Sequence, residues 1–192
     1  MQQLQKPGSG LPSFEKNFIK YILVPSVRIL FTWDIALFYL QREVKLIQKL
    51  MQTIPKQLHT KQVIIERTFA IEDDSRRYSL NMVLEHLTIA GSGVLAIIQS
   101  LSKEKEFPRS ITIEGVKPHQ NKTDQLHEFL EFYESYFAYI KNHPKNYSKT
   151  TKPHPWFEKF NNFDWHVFMF MHTFIHRRQI EAIIKKLGEE NE

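Results

Sequence analysis

The 192-residue chain has no cysteine. Disulfides, thiolate ligands and a cysteine nucleophile are thereby excluded, and any metal must be held by imidazole and oxygen. Glycine is scarce, at six residues, and neither a glycine-rich phosphate loop nor a βαβ alternation occurs, which removes the usual nucleotide-binding folds. No internal repeat is present. The leading Met1 to Gly8 stretch lacks the apolar core of a signal peptide. The apolar run from Phe18 to Leu40 is interrupted by Lys20, Pro25, Arg28 and Asp34, which argues against a membrane span. The net charge of +5 is spread along the chain and interleaved with acids, and no nucleic-acid motif accompanies it. Neither nucleic acid nor membrane is therefore an expected partner, and the expected location is cytoplasmic.

What is present is a hydrophobic fraction of 42%, enough for one sizeable core. Residues 1–25 read as an N-terminal extension, with a flexible lead to Pro12 and a short helix from Ser13 to Leu23 ended by Pro25. Beyond it, residues 26–188 carry four amphipathic stripes at helical spacing. The first is Leu30, Trp33, Leu37, Leu40, Val44, Ile47 and Met51, closed by Pro55. Lys56 to Arg77 reads as an extended crossover. Ser79 can cap the second helix, whose stripe is Met82, Val83, His86, Ala90, Gly93, Ile97 and Leu101; Gly91 and Gly93 would let a neighbouring helix or a ligand approach. Ser102 to Lys122 reads as a loop with an extended piece at Ile111 to Ile113. Thr123 can cap a third helix with Leu126, Leu130, Tyr133, Phe137 and Ile140 inward, ended by Pro144. A basic, proline-rich linker follows from Asn142 to Asn162. Asn161 or Asn162 can cap a fourth helix that runs to Leu187 with Gly188 at C′. The expected fold is all-α, a four-helix bundle with a short N-terminal extension.

The chemistry concentrates in the last helix. His172 and His176 are four residues apart, a step that turns about 40° and leaves Cβ atoms about 5–6 Å apart, so both imidazoles can face one ion. Trp165, Phe168, Met169 and Ile183 share that face, so the pair points into an apolar interior, where unpartnered imidazoles need a partner. If the second and fourth helices face each other, His86 joins them. Three neutral imidazoles with the remaining positions open to water are the arrangement of a catalytic rather than a closed structural metal site. Each histidine taken singly has a plainer reading, a side chain satisfied by one hydrogen bond. Three on apolar stripes favour the metal.

These residues carry a resemblance. Leu84-Glu85-His86-Leu87, followed by His172-Thr173-Phe174-Ile175-His176-Arg177-Arg178-Gln179-Ile180, resembles the DinB/YfiT-like superfamily of metal-dependent enzymes, with its lone helix-two histidine and later His-x-x-x-His-Arg-Gly-Gln. The resemblance spans roughly Arg28 to Gly188. It implies a bundle in up-down-down-up order with His86, His172 and His176 as the metal ligands. It also implies thiol-dependent S-transfer, thiol-dependent isomerisation or hydrolysis, without choosing among them. Arg178 departs from the pattern, standing where glycine is frequent. Helical geometry turns it away from the histidine pair.

Other residues have weaker readings. Asp34, the only acid in Leu30 to Leu40, could hydrogen-bond behind a ligand histidine; the plainer role is a solvent-side or salt-bridged acid. Glu85 lies about 100° around the helix from His86 and reads as an ion-pair partner. His166 is peripheral to the pair. His154, Trp156 and Phe157 read as a cover for the site mouth or, more plainly, as an anchor for the linker. The leading expectation is an enzyme in which a divalent ion, Zn²⁺ or Ni²⁺, activates water or a low-molecular-weight thiol toward a small-molecule substrate. The competing one is a non-catalytic metal-binding or dimerisation module, working as a homodimer.

Overall fold

The computed structural model describes residues 4–6, 8–122, 124–155 and 159–190. Thr123, Trp156 and Phe157, singled out above, lie outside the described residues. The architecture is all-α, with one two-stranded antiparallel ribbon of Lys152–Pro153 (β1) and Lys159–Phe160 (β2) in the last linker. Helices α1 (Ser13–Phe18) and α2 (Val24–Leu30) precede four long helices, α3 (Trp33–Gln52), α4 (Leu80–Leu101), α5 (Gln125–Asn142) and α6 (Asn162–Glu189).

Side-chain caps set three of the long helices. Thr32 accepts from the Ile35 amide, Ser79 from the Met82 amide, and Asn161 exchanges hydrogen bonds with Asp164 in a capping box. Residues 56–77 form an irregular crossover with two 3₁₀ turns, Lys56–Leu58 and Asp73–Arg77. The long helices contact one another in the ring order α3, α6, α4, α5 and back to α3. Leu40, Ile47, Leu84, Leu87, Phe129, Tyr133 and Trp165 are buried where they meet. Gly91 permits the closest approach. A Cβ there would lie 2.5 Å from Cε1 of Phe132 and 2.6 Å from Cε of Met169, so only glycine lets side chains of α5 and α6 press against α4.

Buried polar groups fix the register of α6. His166 donates from Nε2 to the Trp33 carbonyl (3.0 Å), which leaves Nδ1 to accept from the Tyr136 hydroxyl (2.9 Å). Thr173 donates to the Met169 carbonyl and accepts from the Tyr133 hydroxyl, both at 2.8 Å. These bonds tie α6 to α3 and α5, one ahead of the histidine pair and one within it.

The structure corrects several details. Pro25 does not end the first helix: a π turn at Ile19–Leu23 joins α1 to α2 and Pro25 sits in the first turn of α2. The wider π turn relieves the clash between the proline ring and the carbonyl four residues back, and the Ser26 hydroxyl satisfies the Ile22 carbonyl at 2.7 Å. The division at residues 25 and 26 therefore falls within α2. Leu11, Ile19 and Val24 join the common core. Leu30, at the end of α2, is 68% exposed rather than part of the stripe that Trp33 begins. On α5 the deeply buried face is Phe129, Tyr133, Tyr136 and Ile140, rotated from the expected one because the aromatic rings reach further than Leu126 and Leu130. Residues 111–113 are irregular, and Gly188 lies inside α6, which continues to Glu189.

Among the described residues one helix, α4, is long and apolar enough to cross a membrane, with mean hydropathy 1.5, but 61% of that window is buried in the core. The pair Ser13–Leu30 and Trp33–Gln52 passes the same test only together, across a 110° bend.

The two leucines make a direct test of this core. Leu40→Ala, at a fully buried position, is expected to cost about 2–5 kcal/mol in urea unfolding. Leu30→Ala should stay within about 0.5 kcal/mol. Equal losses at both positions would contradict the packing.

Candidate metal centre

His86 on α4 and His172 and His176 on α6 converge: one ring nitrogen from each lies within 4.8 Å of the others. The Nε2 atoms of His86 and His172 are 3.1 Å apart. The group can hold a metal ion. Two imidazole nitrogens bound at about 2.0–2.1 Å to one tetrahedral ion lie roughly 3.3 Å apart, so His86 and His172 already stand near the spacing of a bound pair.

The outer hydrogen bonds decide which nitrogens face inward. His86 Nδ1 lies 2.7 Å from the Val116 carbonyl, an obligate acceptor, so Nδ1 carries the proton and Nε2 presents a lone pair. His176 Nδ1 lies 2.7 Å from Gln179 Oε1, and the Gln179 amide is oriented by donating to the Ser75 carbonyl at 2.7 Å. Nδ1 of His176 is therefore the donor as well. Thus His176 Nε2 is also a lone pair. His172 lacks such a partner, since its Nδ1 is buried without a hydrogen bond. If Nδ1 carried the proton, two lone pairs would face each other across 3.1 Å; if Nε2 carried it, Nδ1 would be an unsatisfied buried acceptor. A cation against His172 Nε2 removes the lone-pair conflict. The donor set therefore fits a divalent ion.

Burial keeps these rings neutral. Desolvation pushes His86 down to about 4 and holds His172 and His176 well below the ordinary imidazole range, with His86 further disfavouring charge on both and His176 on His172. Neutral imidazole is the ligating form.

The loop after α4 completes the support. Glu85, next to His86, is buried and accepts from the amides of His119, Gln120 and Asn121 at 2.9–3.1 Å. It anchors backbone rather than serving mainly in an ion pair. Adjacent residues of α4 thus grip one loop, Glu85 through its amides and His86 through the Val116 carbonyl. That loop also brings Lys117, whose ammonium pairs with Glu72 and lies 3.3 Å from Asp74 and 3.2 Å from the Ser75 hydroxyl.

The remaining expected residues lie elsewhere. Asp34 is 69% exposed in the first turn of α3 and pairs with Lys145 at 2.5 Å, so it does not stand behind a ligand histidine. The carbonyl of Val116 and the amide of Gln179 take that role. His166 is a core cross-link. His154 packs on Phe168 at 4.7 Å, Phe168 stacks on His172 at 5.2 Å, and burial lowers His154 to about 3. Arg178 is exposed, while Arg177 pairs with Glu43 on α3 and with Glu181 at 2.5 Å.

The three histidines line a cavity of about 540 Å³, together with Glu72, Ser75, Lys117 and apolar residues of α2, α4 and α6. Sequence reasoning did not find Glu72, Lys117 or the Val116 carbonyl, which belong to irregular segments with no periodic signal. Gln179 was within reach: it lies three residues after His176, one helical turn away.

No family model, curated protein or solved structure matches the chain.

Two outcomes follow from the geometry. Gln179→Leu, which removes the acceptor behind His176, is expected to weaken Zn²⁺ affinity by about 10–100-fold in a chelator competition. The metal-free protein should also lose stability in acid. Because His86, His154 and His166 are depressed in the folded state to about 4, 3 and 4, the unfolded chain binds protons first as pH falls below about 6.5. Stability is full above that value and is lost toward pH 4, at up to about 1.4 kcal/mol per pH unit for each ring. Urea midpoints that do not change between about pH 7 and about pH 5 would contradict the buried neutral rings.

Proposed function

We propose that this chain is a metal-dependent enzyme of the DinB/YfiT-like kind, a four-helix bundle in up-down-down-up order that acts in the cytoplasm on a small molecule by hydrolysis or thiol-dependent S-transfer. The ring order of the long helices supports the bundle. The observation that carries the function is the placement of His86, His172 and His176 on the wall of a cavity, a group that among the described residues includes no carboxylate to close the coordination. A divalent ion held there, zinc or nickel, would supply Lewis acidity and lower the pKa of a coordinated water or thiol.

The chain's own groups divide the remaining work. The Val116 carbonyl and the Gln179 amide hold protons at Nδ1 of His86 and His176, keeping both Nε2 atoms available. The apolar walls exclude water, which strengthens electrostatic interactions inside. The Lys117 ammonium, neutralised by Glu72 and Asp74, fixes the loop that carries Val116.

A second reading, a non-catalytic metal-binding or dimerisation module, is supported by the exposed apolar side chains of Phe14, Tyr21, Ile22, Ile29, Leu30 and Phe38. Cobalt substitution separates the two. In the enzyme, 2-mercaptoethanol should perturb the visible spectrum of the Co²⁺-loaded protein by entering an open position, and the His86→Ala, His172→Ala, His176→Ala triple variant should show no cobalt band. A cobalt spectrum indifferent to thiols and to small anions would favour the module.

A further inference from the structure

We infer that the cavity beside the three histidines binds an apolar organic molecule, an alkyl or aryl body whose reactive end is presented to the histidine group. The placing of that end rests on the metal reading above; the binding of the body does not.

The argument starts from the walls. The π turn and α2 contribute Leu23, Val24 and Val27 to the cavity. On the facing side α4 offers Ala90, Gly93 and Ala96. These positions are about one turn apart and small, and a Cβ added at Gly93 would meet nothing within 4 Å, so space is left open beside α4. Protein interiors hold few voids larger than a water molecule, because an apolar gap forfeits contacts on both sides. A cavity of about 540 Å³ falls instead within the range of small-molecule sites, about 300–1,000 Å³.

The charged groups on the walls narrow the class of occupant: apart from Arg109, which lies on an exposed stretch, those considered next are already engaged. Lys117 is committed to Glu72, Asp74 and Ser75. Arg28 is committed to Asp164 in a paired contact at 2.8 and 2.9 Å. Glu72 also accepts from the Gly10 amide at 3.0 Å. To gain partners among Lys117, Arg28 and Glu72, a polar or multiply charged molecule would have to break these contacts, whereas an apolar body leaves them intact. Apolar contact therefore carries the affinity for the body.

Gly93 supplies the test, because a Cβ there meets nothing within 4 Å and replacing glycine inside a helix favours the helix. Zn²⁺-loaded full-length protein would be titrated calorimetrically with ethanethiol, butanethiol, hexanethiol and octanethiol. In parallel, Nile red, which carries no thiol, would be bound to the metal-free and metal-loaded forms. Affinity should rise about fourfold per added methylene, the equivalent of about 0.8 kcal/mol, until the cavity is full. Gly93→Trp should flatten that series and abolish Nile red binding, with circular dichroism verifying its fold. Nile red binding that is lost in Gly93→Trp, without any thiol binding, would keep the apolar site and overturn the metal reading. Thiols that bind with no dependence on chain length, together with Nile red that does not bind the parent, would overturn the inference and leave the metal reading standing.

Discussion

The site depends on the direction in which two imidazoles donate their protons. His86 gives its Nδ1 proton to the Val116 carbonyl and His176 gives its own to Gln179, so both Nε2 lone pairs turn to a common point. Each donation is enforced from outside the ring. A backbone carbonyl has no other role to play, and the Gln179 amide is held in one orientation by the Ser75 carbonyl. Were either partner absent, the ring could flip or change tautomer, and buried imidazole would gain nothing from facing its neighbours. Much of the surrounding structure serves this constraint: Glu85 and Lys117 pin the loop that presents Val116, and the 3₁₀ turn around Ser75 carries the carbonyl that orients Gln179.

The long helices supply the rigidity. Both His172 and His176 stand on α6, whose register is held by Tyr133 through Thr173 and by Tyr136 through His166. Uncommitted buried hydroxyls and imidazoles at those positions would be costly, so their pairing makes one axial position of α6 much better than its neighbours. His86 approaches from α4, where Gly91 allows Phe132 and Met169 to press close. Residues 13–30 act differently. Their π turn admits Pro25 without breaking the helical run, and the inner side of that run walls the cavity while its outer side leaves Phe14, Tyr21 and Ile29 exposed.

The helical elements and the histidine triad were legible because both are periodic. Trp33, Leu40 and Ile47 recur at helical spacing, Ser79 and Asn161 announce helix starts, and His172 and His176 share a face by the same arithmetic. The failures are of another kind. Pro25 carries a strong local signal that a π turn overrides, and Leu30 continues a stripe arithmetically although the chain has already turned at Thr32. Asp34 is adjacent in sequence to the buried Trp33, yet its first-turn position directs it to Lys145 and solvent.

By itself, the sequence determined that the chain is helical, where two of its long helices begin, and that three histidines lie on apolar faces. Local backbone preference and amphipathic period are properties of neighbouring residues, so they can be read without knowing the fold. Only the tertiary structure decided that α4 lies against α6 at a depth where His86 meets His172, that Val116 and Gln179 rather than Asp34 stand behind the histidines, and that α2 leaves a cavity over the site. These depend on contacts between segments thirty or more residues apart, such as His86 with Val116 and Gln179 with Ser75, and no local pattern encodes which carbonyl a distant loop will bring to a buried imidazole.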